Sequence, residues 1–328
     1  MKQGAFENQY QSLWQAYEQN LVAFEQQTKR RHLPLTQAQD LLSHYGDVCQ
    51  HLALAQQRQY SAGLVAYLQQ LAARGHSQIY RYPARTWWQR LLAFVRSGLP
   101  EAVRREKKVV CWAHVLFYGP FLLAMLVVII QPDWLAKLAG ADVGAQAASS
   151  YQQMADDYAQ GVNRPFWQNP AMFGFYVFNN IGIAFQSFAS GLLLGIGTVY
   201  TTVYNGLLIG GVMGYMAHQP SGLAFFSFVG AHGAFELTGL VLAAAGGLRL
   251  GLAVLMPGEL PRYLALKQQG ARAAVLMGGA FLLLVVAALI EGFWSPLTSI
   301  PMVLKFVVGG ALWIWVYAYL LLAGHHGS

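Results

Sequence analysis

Residues 171–257 form a stretch that is almost wholly apolar and rich in glycine. Outside one connecting loop that holds His218, its only charged or readily charged groups are His232, Glu236 and Arg249. A water-soluble domain has no reason to keep so long a run free of charge. A bilayer does, because each charge at its centre costs about 2.5–3.5 kcal/mol on insertion scales. The stretch therefore predicts a membrane protein.

Charge is distributed unevenly along the chain. Residues 1–108 hold 14 of the 21 Lys and Arg and 7 of the 14 Asp and Glu, although the whole chain has 328 residues. The basic residues crowd toward the first apolar span, where the positive-inside rule accounts for them, so we expect no nucleic-acid partner. The first 20 residues are polar and show no signal peptide, so the start of the chain is expected to stay in the cytoplasm.

The N-terminal part predicts a small cytoplasmic helical domain over residues 1–84. Phe6, Trp14, Tyr17 and Leu21 recur at helical spacing on a helix of about residues 5–27, and two further amphipathic helices follow, the last ended by Gly75. Residues 85–108 predict an interfacial helix followed by a basic collar. The residues expected at the membrane interface are two tryptophans and two arginines: Trp87, Trp88, Arg90 and Arg96.

The transmembrane domain is predicted over residues 109–328, giving an all-α, polytopic helical protein with about six transmembrane helices. The basic collar places the start of the first span, residues 109–130, in the cytoplasm, and an acidic extracytoplasmic loop follows over about residues 131–170. Further apolar segments are predicted at 172–199, 204–216, 223–256, 273–290 and 302–322, with both termini cytoplasmic. The segment at 204–216 is short, so it either spans the bilayer or is re-entrant.

Small and amide-bearing residues mark helix contacts within this domain. Glycines at four-residue spacing predict close helix packing, within one protomer or across a dimer: Gly191, Gly195, Gly206, Gly210 and Gly214. Asn179, Asn180 and Asn205 are expected either to clamp helices together or to line a polar path, because buried amides need partners. We expect a homo-oligomer, with a dimer favoured.

His232 and Glu236 lie four residues apart, so they share one face of a helix. Three interpretations stay open: an internal polar lock with Arg249 as partner, a proton or ion path, and a metal site. Catalytic zinc needs three protein ligands and this stretch offers two, so no metal and no cofactor are assigned. Glu291 is included in the predicted intramembrane polar site, where it is expected to be a solvated helix end or, alternatively, a gate. No catalytic set is recognisable, so we expect no enzymatic activity.

A set of motifs in one order is similar to the stage II sporulation protein M family over about residues 90–325. The motifs are FVRSGLPEAVRR (94–105), FNNIGIAF (178–185), SGLLLGIGT (190–198), YNGLLIG (204–210), HGAFEL (232–237), GLRLG (247–251) and IEGFWSP (290–296). The resemblance implies a polytopic integral membrane protein. It also implies a non-enzymatic role, because sporulation members of the family act as partners of peptidoglycan-degrading proteins. Relatives in bacteria that do not sporulate are often encoded beside MoxR-type ATPases and von Willebrand-type proteins, which the resemblance offers as partners.

These observations lead to two functional hypotheses for a bacterial inner-membrane protein. The first is a non-enzymatic subunit that organises a membrane or cell-envelope complex. The second is a channel or transporter with a polar intramembrane site around His232 and Glu236. A path predicts a cavity that reaches Glu236 from at least one side, whereas a lock predicts that Glu236 is sealed among helices against Arg249 or an amide.

Overall fold

The computed structural model describes residues 2–27, 35–79 and 86–324, and within them the secondary structure is helical with no strand. The all-α prediction is confirmed. The chain forms two compact units, Met1–Arg90 and Leu91–Ser328. The domain boundary predicted between residues 84 and 85 falls within 80–85, which lie outside the described residues.

The first unit is built on three helices with their own core: α1 (Gln3–Gln27), α2 (Leu35–Gln57) and α3 (Ala62–Ile79). The core contains Phe6, Trp14, Tyr17 and Leu21 from the predicted apolar face of α1. Gly75 does not end the third helix, and this prediction was wrong. α3 continues through Gly75, where the Tyr17 hydroxyl occupies the space that a side chain would need.

The rest of the described chain folds into further helices joined by short turns. They are α4 (Trp87–Ala93), α5 (Leu99–Arg105), α6 (Lys107–Ile130), α7 (Trp134–Ala139), α8 (Ala141–Gln160), α9 (Asn169–Ala189), α10 (Ile196–Met216), α11 (Gly222–Leu255), α12 (Arg262–Leu289) and α13 (Met302–Leu322). A π-helical turn, Phe94–Gly98, joins α4 to α5, and a second one, Ile290–Trp294, follows α12. The loop predicted over 131–170 is therefore largely helical.

α11 is the central helix of the second unit. Its sides pack against α6, α9, α10, α12 and α13, and most of its residues are buried. Its 34 residues give a length of about 51 Å at 1.5 Å per residue, which exceeds the roughly 30 Å hydrocarbon core. By length and composition, four described helices could cross a membrane: α6, α11, the helix Arg262–Trp294 that joins α12 to its π turn, and α13. The chain is thus a multi-pass membrane protein.

α9 and α10 differ from the predicted segments at 172–199 and 204–216. The helix breaks after Ala189, because Leu194 and Gly195 adopt positive φ angles of 55° and 79°. α10 then begins at Ile196 and runs unbroken for 21 residues, so the short element expected from 204 is a full-length helix. The sequence showed the glycines of this turn but not that the chain reverses there.

The predicted packing glycines lie at contacts between helix backbones. Gly206, Gly210 and Gly214 of α10 lie against the backbone of α6, where an added Cβ would meet main-chain atoms of Phe117, Phe121 and Met125 in turn. Gly191 meets the backbone of Gly247 on α11, and Gly195 approaches Gly251 on the same helix. All five glycines are therefore used in contacts within one chain.

The transmembrane helices have two distinct ends. At the basic end, Glu106 carboxylate oxygens lie 3.3 Å from Arg249 Nε and 3.8 Å from Arg272 Nη1, and Arg104 Nη1 donates to the Ala323 carbonyl at 2.6 Å. These contacts bring the start of α6, the end of α11, the start of α12 and the end of α13 together. At the other end, His218 bonds the Ile129 carbonyl at 2.8 Å, which joins the ends of α6 and α10.

The residues predicted for the membrane interface are exposed. Trp87 and Trp88 are 65% and 61% exposed, and their rings stack with centroids 4.0 Å apart. Arg90 and Arg96 are exposed as well. Large exposed aromatic rings suit a headgroup layer, and the interfacial role stays a prediction.

Candidate functional site

His232 and Glu236 face each other on consecutive turns of α11. The Nε2 atom of His232 lies 3.7 Å from Oε2 of Glu236, as the spacing of four residues predicts. His232 is buried at 3% exposure, whereas the Glu236 side chain keeps 21% of its surface exposed. An imidazole and a carboxylate therefore lie side by side within the apolar domain, and the carboxylate still reaches open space.

Glu291 joins this pair from a different helix. The π-helical turn Ile290–Trp294 presents its carboxylate inward, and the residue is only 9% exposed. One ligand atom from each of His232, Glu236 and Glu291 lies within 4.8 Å of the other two. The solvated helix end expected for Glu291 was wrong, because the wider π turn places this side chain inside the bundle.

Ser295, one turn beyond Glu291, connects the cluster to α13. Its hydroxyl lies 3.2 Å from Nδ1 of His232, and its carbonyl accepts a hydrogen bond from Lys305 Nζ at 2.5 Å. Lys305 is fully buried, and its ammonium also lies 4.6 Å from the ring centre of Tyr158. The lysine is thus held by a carbonyl and an aromatic face.

Two adjoining cavities reach the cluster. The inner one, of about 280 Å³, is lined by His232, Glu236 and Glu291 together with apolar side chains of α10 and α11. The outer one, of about 790 Å³, lies among α8, the segment before α9 and the turn after Glu291. Tyr151 and Glu291 line both cavities. Burial first, and then the Glu291 carboxylate, raises the pKa of Tyr151, so its hydroxyl stays neutral.

Arg164 lies in the wall of the outer cavity without being an ion-pair partner of the cluster. Its guanidinium donates to Asn169 Oδ1 at 2.9 Å and to the Gly292 carbonyl at 2.8 Å. These bonds join the segment before α9 to the π turn that carries Glu291. Among the described side chains, Arg164 therefore fixes the mouth of the site.

The predicted asparagines lie away from this cluster. Asn179 donates to Asn180 Oδ1 at 2.9 Å, and Asn205 donates to the Thr201 carbonyl at 2.7 Å on its own helix. None of the three is among the described residues that line either cavity. The structure therefore does not bring the three asparagines to the cavities at His232 and Glu236, and their part in a polar path stays a prediction.

Arg249 is not the partner of Glu236, and this expectation was also wrong. Its guanidinium lies against Glu106 at the basic end, with Nε 3.3 Å from Oε2 of Glu106. Glu106 is 5% exposed and also has Arg105 and Arg272 within ion-pair distance. Glu236 and Arg249 are separated by thirteen positions, which amount to about 20 Å of helix and put the two side chains at different depths.

Sequence reasoning missed two members of the site, Ser295 and Tyr151, and did not predict that the Glu291 side chain points inward. The motif Ile-Glu-Gly-Phe-Trp-Ser-Pro contains Glu291 and Ser295 at a spacing of four, which was the available signal. Tyr151 gave no such signal, because it stands in a segment that was predicted to be a loop. The arrangement offers one imidazole nitrogen and two carboxylates as ligands, so it could hold a cation.

Comparison with known families gave two matches. The family model described as Stage II sporulation protein M matches residues 113–296, which is more than half of the chain and includes the whole cluster. A second model, described as a domain of unknown function, matches residues 4–81 in the N-terminal unit. No curated protein and no solved structure gave a match.

Proposed function

The chain belongs to the stage II sporulation protein M family, and we propose that it is a non-enzymatic subunit that organises a complex in the bacterial inner membrane. The observation that carries this proposal is the burial of α11 beyond Glu236. Residues of α11 from Leu240 to Ala245 are at most 7% exposed, and none of them lines the inner or the outer cavity. A tightly packed segment of this kind favours a fixed membrane subunit over an open pore.

The proposed orientation rests on the basic end of the bundle. Arg104, Arg249 and Arg272 meet there, and the end of α13 lies beside them. By the positive-inside rule this end faces the cytoplasm, which puts both termini there and the cavities on the outer side. α9 runs from Phe173, beside Gly292 of the outer-end π turn, to Phe188 beside Gly246 of α11. α9 and α10 would then complete six crossings.

The N-terminal unit supports an organising role because it forms its own core on the cytoplasmic side of this topology. Its surface is polar, with Arg74 paired to Glu18 at 3.3 Å and to Glu25 at 3.0 Å. A soluble helical module attached to a membrane domain can present a docking surface to cytoplasmic partners. MoxR-type ATPases and von Willebrand-type proteins are the partners we propose to test, together with a second copy of the chain.

Transport is the second candidate, because a cavity does reach Glu236 and Arg249 does not seal it. A transporter would have to open a path through the tightly packed segment of α11 between Glu236 and Arg249 during its cycle. Transport therefore requires a second conformation, whereas the organising function requires none.

Proteoliposomes separate the two candidates. The organising function predicts no cation flux above that of empty vesicles, and a stoichiometric complex on cross-linking in native membranes. Transport predicts flux that Glu236→Gln changes and that Glu259→Gln, an exposed carboxylate outside the site, leaves alone. Flux with this pattern would overturn the organising proposal. Absence of both flux and a cross-linked complex would contradict both candidates.

A further inference from the structure

We propose that His232, Glu236 and Glu291 bind one divalent transition-metal ion of the zinc class. This inference goes beyond the proposed function, and it holds whether the subunit organises a complex or transports a solute. It rests on four features of the described structure: donor spacing, an unpaired buried oxygen, a positioned histidine and an open cavity.

The donor spacing fits a single ion. Three donors at about 2.0–2.2 Å from a tetrahedral zinc lie about 3.4 Å from one another. The His232 nitrogen and the Glu236 oxygen are already 3.7 Å apart, and all three donors lie within 4.8 Å. A shift of about 1 Å or less by each flexible carboxylate closes the set. Two of the donors stand on one rigid helix, so the third completes a site that is largely formed.

Glu291 supplies the second observation, because its Oε2 atom is buried without a hydrogen-bond partner. The residue is 9% exposed, and one of its carboxylate oxygens lies within 4.8 Å of the donor atoms of His232 and Glu236. Among the described residues, no Lys or Arg lies within ion-pair distance of Glu291. Arg164 donates its hydrogen bonds to Asn169 and to the Gly292 carbonyl, and Lys305 donates to the Ser295 carbonyl. A buried, unpaired carboxylate is costly, more so beside a second carboxylate.

A divalent cation would remove this cost. Two ionised carboxylates, a neutral imidazole and a doubly charged ion sum to zero net charge. A neutral cluster is what the interior of a membrane domain tolerates best. The ion would also give the free oxygen of Glu291 a partner, which no described side chain provides.

Ser295 orients the histidine for this role. Its hydroxyl lies 3.2 Å from Nδ1 of His232, on the side of the ring away from Glu236. A proton on Nδ1, donated to this hydroxyl, leaves the lone pair of Nε2 directed at the carboxylates. Metal-binding histidines are commonly fixed by such a bond from their other nitrogen.

The inner cavity leaves a fourth position open. Three protein ligands with space for a water or another donor resemble the open sites of zinc proteins, not the closed structural ones. One imidazole nitrogen and two carboxylate oxygens, with no sulfur, select a borderline ion such as Zn²⁺ over a soft one. The outer cavity shares Tyr151 and Glu291 with the inner one, so the proposed route for the ion is through the outer cavity.

The test measures metal binding by the detergent-purified full chain. His325→Ser and His326→Ser are introduced in every sample, because terminal imidazoles would otherwise bind zinc. After chelator treatment, competition with a chromophoric chelator gives the zinc affinity, and Co²⁺ reports coordination by its visible absorption. We expect one ion per chain, with only nitrogen and oxygen ligands in X-ray absorption.

Variants assign the site. Glu236→Gln, Glu291→Gln and His232→Gln should each weaken zinc binding by about 100-fold or more, and Ser295→Ala by about 10–100-fold. Glu259→Gln and His218→Gln are matched controls outside the cluster and should leave the zinc affinity unchanged. Zinc should raise the unfolding temperature of the chain with an unmodified site and of both control variants, but not that of the three ligand variants.

Equal zinc affinity in the unmodified site and in the ligand variants would overturn the proposal, as would no binding at all. X-ray absorption of the unmodified site needs no variant, so sulfur ligands there would overturn it even if a variant failed to fold. Zinc binding in a chain that assembles no complex would leave this inference standing while the proposed function failed.

Discussion

Replacing Gly210 by alanine should destabilise the contact between α6 and α10. An added Cβ would meet the carbonyl carbon and oxygen and the Cα of Phe121, all of which are main-chain atoms of α6. A side chain could rotate away, but backbone cannot, so the two helices must separate. Neighbouring contacts at Gly206 and Gly214 would then loosen too, because they lie on the same ridge.

The size of the effect follows from overpacking. Forcing a methyl group into a well-packed contact typically costs about 1–3 kcal/mol. For domains of 150–250 residues, each kcal/mol lowers the unfolding temperature by roughly 2–4 °C. We therefore expect a fall of about 2–12 °C for Gly210→Ala. Gly119→Ala is the matched control, because Gly119 of α6 has open space around its Cα and alanine is the better helix former.

The assay is thermal unfolding of the detergent-purified chain, followed by tryptophan fluorescence and by size-exclusion chromatography. We expect Gly119→Ala to unfold at the original temperature or slightly above it. Equal unfolding temperatures for the two variants would refute the packing described here. A normal unfolding temperature with dimers lost in Gly210→Ala alone would show that this ridge faces another chain.

Two further predictions concern buried groups outside the cavity. Trp14 Nε1 donates to His51 Nδ1 at 3.1 Å, and burial lowers the pKa of His51, so folding favours the neutral ring. Stability of the N-terminal unit should be complete above pH about 6.5, the ordinary histidine pKa, and should fall as the pH drops below it. His51→Asn should flatten this pH dependence of stability, measured by hydrogen exchange of the α1 amides after correction for their intrinsic exchange rates. An unchanged slope in the variant would count against a role of His51. Glu106→Gln should lower the free energy of unfolding by about 2 kcal/mol, measured by thermal unfolding. This is less than the cost of breaking a fully buried ion pair, because Arg272 is 47% exposed. A loss no larger than that of Glu259→Gln, at an exposed position, would be inconsistent with ion pairs of Glu106 that stabilise the fold.

Local patterns predicted the helices well, because each depends on residues close in sequence. The apolar face of α1 follows from helical spacing. The first predicted span, α6, follows from an uninterrupted apolar run. The pairing of His232 with Glu236 follows in the same way from their spacing on one helix.

Contacts between distant segments could not be predicted in this way. Glu291 reaches the cluster through a π turn, and one extra residue per turn changes the direction of a side chain without a clear sequence signature. Arg249 pairs with Glu106, which lies 143 residues earlier in the chain, whereas sequence distance favoured Glu236. The break before α10 depends on positive φ angles at Leu194 and Gly195, and leucine gives no hint of one.

The accessibility of position 236 from the two sides of the membrane tests most directly whether the polar cavity opens outward and ends at this residue. The probe is Glu236→Cys in a chain that carries Cys49→Ser and Cys111→Ser, with Val241→Cys, a fully buried position deeper on α11, as control. A small, charged, membrane-impermeant thiol reagent should label position 236 in right-side-out vesicles and leave position 241 unlabelled. Labelling of position 236 only in inside-out vesicles, or only by a lipid-soluble reagent, would contradict an outward cavity that ends at this residue.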